Sequence, residues 1–262
     1  MKSIFKIVFL ILTMLFSSNS WAWGTTGHRI VAEIAERNLS RKAKKEIKKI
    51  IGNQKLAYWA NWPDFIKSDS HWKFADSWHY VNIPGDLSYD AFLKELNNSS
   101  EDNLYKRTLI LIAELKKKEL PLEKKQQYLY FLIHIIGDAH QPLHVGRTED
   151  LGGNKINLEW FGSKTNLHTV WDSKLIDFEK YSYTEYADVL NRLTKKEIKE
   201  VQNGTLENWI YDSYSVSNKI YNEATKGENL KYRYQYLNKD RVEQQLQKGG
   251  LRLSKVLNEL FK

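Results

Sequence analysis

The sequence contains no cysteine, only four prolines and 13 glycines among its 262 residues. Without cysteine the chain forms no disulfides and offers no thiolate ligands, so an exported form must be stabilised by packing or by metal binding. The scarcity of proline permits long helices, because an interior proline removes a helical hydrogen bond and clashes with the preceding turn. Neither an internal repeat nor a low-complexity linker interrupts the chain.

Acidic residues are the minority charge, with 32 against 40 basic residues and a formal net charge of +8. A basic balance favours a polyanionic partner such as nucleic acid or an anionic lipid surface. Much of the excess, however, lies in runs such as RKAKKEIKK, which are typical of solvated helix faces. Charge alone therefore does not select the partner.

Residues 1–22 predict a secretory signal. Two lysines, Lys2 and Lys6, frame the start of an apolar run over Ile4–Phe16, and Ser20-Trp21-Ala22 places small residues three and one before a cleavage point. The alternative is a membrane anchor, but the run is shorter than the about 20 residues of a comfortable span. Cleavage would leave Trp23 with a free α-amino group, remove any transmembrane anchor and give a secreted or periplasmic protein.

The remaining residues predict one all-α domain over 23–262 with a small β-hairpin insertion. Apolar residues recur at three-to-four spacing, and Ser40, Gly52, Pro121 and Pro142 supply start and stop signals. Alternation in NKINLEWFG predicts the hairpin at 154–162. The expected helices are His28–Arg37, 41–51, 101–118, 122–141, 184–194, 205–222 and 240–259.

Histidine and aspartate recur at helical spacing in two segments. HIIGDAHQPLH (134–144) places His134 four residues before Asp138, and NLHTVWD (166–172) places His168 four residues before Asp172. Residues four apart lie on one helix face. One such pair is usually a structural hydrogen bond, but two pairs together with His144 favour a metal site.

The types of candidate ligand narrow the choice of metal ion. Imidazole and carboxylate without thiolate suit zinc in a hydrolytic site. Several such residues indicate more than one ion, and two ions about 3.5–4 Å apart can clamp both oxygens of a phosphoryl transfer. Asp138 lies between His134 and His144 in the sequence and is the candidate bridging ligand.

Two upstream segments add weaker candidates. NWPDFIK contains Asp64 with Lys67 one turn later, and SWHYVN contains His79 between aromatic residues. Each also has an ordinary structural interpretation. An Asp after Pro is usually a cap or turn residue, an exposed lysine usually forms a surface ion pair, and a histidine among aromatics is usually a core residue.

Taken together, the segments WGTTGH, WPD, WHYVN, HIIGDAHQPLH, GGN and NLHTVWD resemble, in this order, the S1/P1 nuclease family of zinc-dependent single-strand nucleases and 3′-nucleotidases. The resemblance covers Trp23 to about Asp172. It implies a mostly helical fold, shared with zinc-dependent phospholipase C enzymes, and a cluster of three zinc ions. Carried over by position, the implied metal ligands are Trp23, His28, Asp64, His79, His134, Asp138, His144, His168 and Asp172.

In that arrangement Asp64, His79, His134 and Asp138 hold one zinc, and His144, His168 and Asp172 hold the second. Trp23, through its amine and carbonyl, holds the third with His28 and Asp138.

The resemblance also implies the chemistry. Zinc-activated hydroxide, oriented by Asp64, attacks the phosphate, while Lys67 adds positive charge. Products carry a 5′-phosphate, and a 3′-nucleotide releases inorganic phosphate. The expected base-binding residues are Tyr80, which occupies the family's stacking position, with Asn82, Gly152 and Asn154. Fungal relatives usually carry an Asp where this chain has Asn82, so the base preference does not transfer.

The expected protein is thus a monomer that acts on single-stranded DNA, RNA and 3′-nucleotides and has no stable protein partner. Two other functions compete with this one. A phospholipase C would use the same cluster but would need an open, apolar-rimmed site. A non-catalytic zinc- or DNA-binding surface protein fits the basic charge, but it does not need the full ligand set with Asp64.

Overall fold

The computed structural model describes residues 23–99 and 102–262, which are mostly helical with one small sheet, as the sequence predicts. The predicted signal segment 1–22 lies outside the described residues. The α-helices are α1 Thr25–Arg37, α2 Arg41–Ile51, α3 Leu56–Trp59, α4 Trp62–Phe65, α5 Tyr89–Asn98, α6 Leu104–Leu115, α7 Leu122–Asp138, α8 Leu167–Thr169, α9 Leu175–Phe178, α10 Tyr183–Leu190, α11 Lys195–Val201, α12 Leu206–Tyr221 and α13 Tyr232–Leu260. Shorter turns and the strands complete the chain: 3-10 helices Ile66–Ser68, Ser70–His79 and Pro142–Val145, the π-helix Val170–Lys174, and strands β1 Asn157–Trp160, β2 Ser163–Asn166 and β3 Asn229–Leu230.

Local chemistry sets the ends of α2. The hydroxyl of Ser40 accepts a hydrogen bond from the Ala43 N–H at 3.1 Å, which satisfies one of the free donors of the first turn. Gly52 ends the helix with φ of +70°, a conformation that glycine adopts without steric cost. The predicted bounds of this helix are confirmed.

Other bounds differ because polar contacts, rather than apolar spacing, determine them. The last helix, α13, begins at Tyr232, eight residues before the predicted start. Gln235 and Asn238 in its extra turns are buried, and their side-chain amides donate hydrogen bonds to backbone carbonyls. The prediction that α7 runs to residue 141 is wrong. The helix ends at Asp138, and the chain then turns so that the His140 N–H donates to Gly137 O.

The core forms where α1 packs against α13, α10 and α7. At the contact with α13, a Cβ on Gly250 would lie 2.5 Å from Ile34 Cβ. At the contact with α7, a Cβ on Gly137 would lie 2.9 Å from the His28 ring. Glycine at these positions lets the helix backbones approach closely and brings His28 against the end of α7.

A hairpin forms as predicted, with β1 and β2 antiparallel and Trp160 opposite Ser163, but β2 lies beyond the predicted range 154–162, which covers only β1 and the turn. Its two-residue turn has positive φ at both Phe161 and Gly162, at 50° and 81°, which matches the right-handed strand twist. The short strand β3 pairs in parallel with β1; it was not predicted, because two residues carry no pattern. Among the described residues, no helix is long and apolar enough to cross a membrane.

Candidate metal centre

The end of α7 supplies the central carboxylate of the site. His134 and Asp138 lie on one face of this helix, and neither is exposed to solvent. His134 Nε2 lies 3.2 Å from Asp138 Oδ2. Asp138 Oδ2 is also 3.1 Å from His79 Nδ1, and its other oxygen, Oδ1, is 3.3 Å from His28 Nε2. One buried carboxylate therefore faces histidines from three separate segments.

Asp64 completes the first group. Its Oδ1 lies 3.7 Å from His134 Nε2 and 3.9 Å from His79 Nδ1, at distances that leave room for an ion between them. The short helix α4 carries Asp64, and Pro63 at the start of that helix presets its backbone. His79 ends the 3-10 helix Ser70–His79 and is buried. Ligand atoms of His79, His134 and Asp138 lie within 4.8 Å of one another, as do those of His28, Asp64 and His134.

The second group joins His144, His168 and Asp172, whose ligand atoms also lie within 4.8 Å of one another. His168 Nε2 is 3.1 Å from Asp172 Oδ2, and His144 Nε2 is 3.6 Å from Asp172 Oδ1. The segment that joins His168 to Asp172 passes from α8 into the π-helix Val170–Lys174 and is not a regular α-helix. A π-turn at this position is typical of functional sites.

Trp23 lies against the same centre. Its side chain is fully buried, and its indole Nε1 donates to Gly137 O at 2.8 Å. The next residue, Gly24, donates its N–H to Asp172 O at 2.7 Å. The start of the described chain is thus attached to α7 through the Trp23 indole and to the π-helix through the Gly24 backbone. The Trp23 side chain is a core anchor.

Backbone carbonyls orient three of the histidines. The Nδ1–H groups of His134, His144 and His168 donate at 2.6 Å to the carbonyls of Ala60, His79 and Gly152, respectively. Each ring then turns its Nε2 atom towards the centre, the arrangement found in metal-binding histidines. The carbonyl partners fix both tautomer and ring orientation before any ion binds.

Buried side-chain nitrogen and oxygen atoms that have no hydrogen-bond partner indicate whether the site suits a metal ion. Among the described residues, six such atoms belong to the predicted ligands: both ring nitrogens of His28, Nε2 of His79, His144 and His168, and Asp138 Oδ1. A buried polar atom without a partner costs about 1–3 kcal/mol. Lone pairs that converge without donors are satisfied by cations, so the donor set fits metal ions.

Electrostatics favour cation binding as well. Burial raises the pKa of Asp64, but the charges of His134 and Lys67 outweigh it and lower that pKa to about 2. Burial likewise raises the pKa of Asp138, and the surrounding histidines lower it well below its usual range. Burial and the charge of Lys67 lower the pKa of His79 to about 4. Both carboxylates are therefore ionised at neutral pH.

A cavity of about 580 Å³ opens onto this centre. Its walls include ligand candidates from every group and also the predicted residues Lys67, Tyr80, Asn82 and Asn154. Lys67 Nζ bonds Asp64 Oδ1 at 2.7 Å, in a partly buried pair. The Asn154 amide donates to Leu151 O at 2.8 Å, which orients it on the wall.

Gly152 has a structural reason to be glycine. Its φ is +63°, and a Cβ would lie 2.3 Å from Leu143 O, so no other residue fits without moving the backbone. The residue is buried, and its carbonyl is the acceptor for His168. This role is independent of any base.

Sequence reasoning missed Gln141, Asp150 and Tyr221. The Gln141 side chain donates from Nε2 to Asp172 Oδ1 and accepts from the Leu143 N–H at 2.6 Å, so it orients a ligand. Asp150 Oδ1 accepts from Tyr221 Oη at 2.8 Å and from the Gly153 N–H at 2.7 Å, which holds the glycine loop. The sequence does not reveal these roles, because Gln141 meets Asp172, and Asp150 meets Tyr221, across 31 and 71 residues of chain.

Buried histidine and carboxylate ligands around an open cavity define a class, that of metal-dependent hydrolases. The family model described as S1/P1 Nuclease matches residues 23–262, and the chain belongs to this family. It is 30% identical to Endonuclease 2 of Arabidopsis thaliana, over 97% of each chain. It is 29% identical to Nuclease S1 of Aspergillus oryzae over 70% of this chain and 66% of that one. With Nuclease P1 of Penicillium citrinum it shares 31% identity over 58% of this chain and 57% of the relative.

The family establishes the coarse function. The chain is a nuclease, a metal-dependent hydrolase that acts on nucleic acid. The three groups of histidine and aspartate are where it could bind metal ions.

Proposed function

We propose that this nuclease is a zinc enzyme with three ions, which cleaves single-stranded DNA and RNA to 5′-phosphorylated products and also hydrolyses 3′-nucleotides. The observation that carries the proposal is the cavity. Candidate metal ligands from each of the three groups line it together with Lys67, Tyr80 and Asn82. Metal ligands alone would fit many hydrolases. Metal ligands beside a lysine, an aromatic ring and amides fit a substrate that combines phosphate with a base.

The proposed ligand sets are those that the resemblance to the family implies. Asp64, His79, His134 and Asp138 would hold one zinc, and His144, His168 and Asp172 a second. The third would take His28 and Asp138 with the amine and carbonyl of Trp23, once residues 1–22 have been removed during export to the periplasm or the medium. Bound zinc supplies Lewis acidity, which lowers the pKa of water to about 7 and stabilises charge on phosphate oxygens.

Asp64 and Lys67 then act on the reacting groups. The Asp64 carboxylate is ionised and buried, and its Oδ1 atom faces the centre, so it can accept a hydrogen bond from the attacking water and orient that water towards phosphorus. Lys67 Nζ lies 2.7 Å from the same oxygen. It holds the carboxylate in place and offers a charge to the phosphate, which becomes more negative as the reaction proceeds.

Tyr80, Asn82 and Asn154 would bind the base. An aromatic ring stacks on any base at a gain of about 1–3 kcal/mol, which gives affinity without sequence preference. Amide side chains offer both donors and acceptors to the base edge. A base inside the cavity cannot remain stacked in a duplex, so the preference for single strands follows from the cost of unstacking.

One observation favours a second candidate, a phospholipase C. Phe65 and Leu151 line the cavity and expose 53% and 51% of their surface, which gives the rim an apolar character that suits a lipid. The named relatives are nucleases, and the amides Asn82 and Asn154 on the wall offer the donors and acceptors that a base edge needs. We therefore rank the nuclease first.

A substrate panel tests the proposal. Protein that begins at Trp23 is incubated with single-stranded DNA, duplex DNA, single-stranded RNA, 3′-AMP and phosphatidylcholine, with and without a zinc chelator. We expect chelator-sensitive cleavage of single strands and 3′-AMP, products with a 5′-phosphate, and three zinc ions per chain by elemental analysis. Chelator-insensitive cleavage, or hydrolysis of phosphatidylcholine alone, would contradict the proposal.

The Asp64→Asn variant removes the ionised carboxylate from the cavity and should lower kcat by about 10²–10⁴-fold. Asp240→Asn, on the exposed surface of α13, is the matched control and should retain wild-type activity. Equal activity of both variants would remove Asp64 from the mechanism.

The start of the mature chain gives an independent prediction. Extra residues before Trp23 would convert its amine into an amide, which is a poor zinc ligand. The extended protein should contain two tightly bound zinc ions rather than three and should lose most of its activity. Elemental analysis after gel filtration measures the metal directly, and three retained ions would show that Trp23 is only a core anchor.

A further inference from the structure

A second binding feature adjoins the cavity, on the segment that leads from α4 to His79. Phe65 and Lys73 line the cavity, and Phe74 follows Lys73 in the same 3-10 helix. Phe65 exposes 53% of its surface and Phe74 exposes 60%. Both phenylalanines thus present aromatic surface to solvent at or beside the cavity.

The ring of Phe74 is exposed but well supported. It lies 5.6 Å from the Trp72 ring and 5.4 Å from the Trp78 ring. Both tryptophans pack on Phe131 of α7, which is buried, at 5.7 and 4.8 Å. The exposed face of Phe74 is thus the outer face of an aromatic stack that reaches into the core. A ring held in this way loses little conformational freedom when a ligand stacks on it.

Lys73, next to Phe74, is a positive charge that can bind a phosphate of the nucleic acid. Lys73 exposes 67% of its side chain and contacts Asp76 at 3.4 Å. An exposed pair of this kind is worth little, so a phosphate can replace Asp76 as the partner of the lysine. The other nearby lysine, Lys67, is already paired with Asp64 at 2.7 Å. Lys73 is therefore the cation that the segment can offer to a strand beyond the catalytic cavity.

We propose that Phe65, Lys73 and Phe74 form a strand subsite that binds the nucleotides next to the one held in the catalytic cavity. Bases stack on Phe65 and Phe74, and Lys73 pairs with the phosphate between them. Alternating aromatic and basic groups are the usual means of binding single strands without sequence preference. The inference rests on the proposed function and extends it, because it makes the enzyme prefer oligonucleotides over the smallest substrates.

Kinetics on substrates of two lengths test the subsite. The Phe65→Ala/Phe74→Ala double variant should raise KM for dT10 by at least about fivefold, the lower value for one stacked base. Its kcat/KM for 3′-AMP should fall by less than its kcat/KM for dT10, because 3′-AMP carries a single base and cannot stack on both rings. Tyr236→Ala removes an aromatic ring that is more exposed than either phenylalanine, on α13, and is the control. An unchanged KM for dT10 in the double variant would overturn the proposal.

Salt dependence tests the lysine separately. Lys73→Gln should reduce the slope of log(kcat/KM) for dT10 against log[salt] by about 0.7, the value for one phosphate contact on a single strand. Lys196→Gln, at a side chain with 88% exposure, should leave the slope unchanged. Asp76→Asn removes the competing carboxylate and should lower KM for dT10 at low salt. Equal slopes for wild type and Lys73→Gln would exclude the phosphate contact.

The outcomes also separate this inference from the proposed function. If the wild-type protein cleaves neither substrate, the proposed function fails, and fluorescence anisotropy of fluorescein-labelled dT10 then measures binding to wild type and double variant directly. At least about fivefold weaker binding by the double variant would support the subsite, and equal binding would refute it. Loss of binding to phosphatidylcholine vesicles, with binding of dT10 retained, would assign the aromatic surface to lipid and overturn the proposal.

Discussion

Two buried histidines at the end of α7 have opposite surroundings. His134 and His140 are both fully buried, and each donates its Nδ1–H to a backbone carbonyl, at 2.6 Å to Ala60 and 2.7 Å to Ile136. The remaining nitrogen distinguishes them. His140 Nε2 accepts from the guanidinium of Arg252 at 3.2 Å. His134 Nε2 faces the His79 ring and the carboxylates of Asp138 and Asp64, at 2.9, 3.2 and 3.7 Å.

The difference shows that burial alone does not identify a metal ligand. The guanidinium beside His140 satisfies its lone pair and repels any cation, and burial with this charge lowers the pKa of His140 to about 3. At His134 burial also acts to lower the pKa, but the two carboxylates outweigh it and raise that pKa. A region that stabilises positive charge on an imidazole also stabilises a metal ion in its place.

The largest expected effect comes from the paired variants His134→Ala and His140→Ala. His134→Ala should lose bound zinc and lower kcat/KM at least about a hundredfold, because it removes a ligand beside the reacting groups. His140→Ala should retain its zinc and instead lower the free energy of unfolding by about 1–3 kcal/mol, because it leaves Arg252 Nη1 without its acceptor. Elemental analysis and urea unfolding at neutral pH measure the two quantities. Equal zinc loss in both variants would remove the distinction between the two regions.

Sequence reasoning identified the part of the site that is local in the chain. The four-residue spacings of His134 with Asp138 and of His168 with Asp172 are visible without a structure, and both pairs come within 3.2 Å. The second pair does so through a π-helix, which spacing alone cannot distinguish from an α-helix. The helical fold and the hairpin followed from periodicity and turn residues in the same way.

The part of the candidate site that the sequence did not predict depends on contacts between segments distant in the chain. Gln141 bonds a carboxylate 31 residues away, and the Trp23 indole bonds a carbonyl 114 residues away. Glutamine and tyrosine occur on many surfaces, so their identity predicts no role until the fold brings a partner to them. The start of α13 was missed for a related reason, since its buried residues there are polar.

The second-largest expected effect comes from Gln141, whose side chain orients the Asp172 carboxylate. Gln141→Leu removes the donor to Asp172 Oδ1 and the acceptor for the Leu143 N–H. Loss of a partner that orients a ligand typically costs 10–100-fold in metal affinity, so zinc should bind the second group about that much more weakly. Titration against a competing zinc indicator measures the affinity. Gln127→Leu, on the exposed start of α7, is the matched control and should bind zinc as wild type does.

The smallest expected effect concerns the loop that orients His168. Tyr221→Phe removes the hydroxyl that donates to Asp150 Oδ1 at 2.8 Å and accepts from the Arg147 N–H at 3.1 Å. The aromatic ring remains for the Arg147 guanidinium to pack on, 4.5 Å from its centre, so the loop loosens without losing its packing.

We expect the free energy of unfolding of Tyr221→Phe to fall by about 1–2 kcal/mol, because the hydroxyl makes two hydrogen bonds, each usually worth about 1 kcal/mol. Zinc affinity at the second group should fall severalfold, less than in Gln141→Leu, because the hydroxyl acts through the Gly152 carbonyl and not on a ligand directly. Tyr58→Phe, at an exposed hydroxyl, is the control. If Tyr221→Phe weakens zinc more than Gln141→Leu does, then the orientation of His168, rather than that of Asp172, limits the second group.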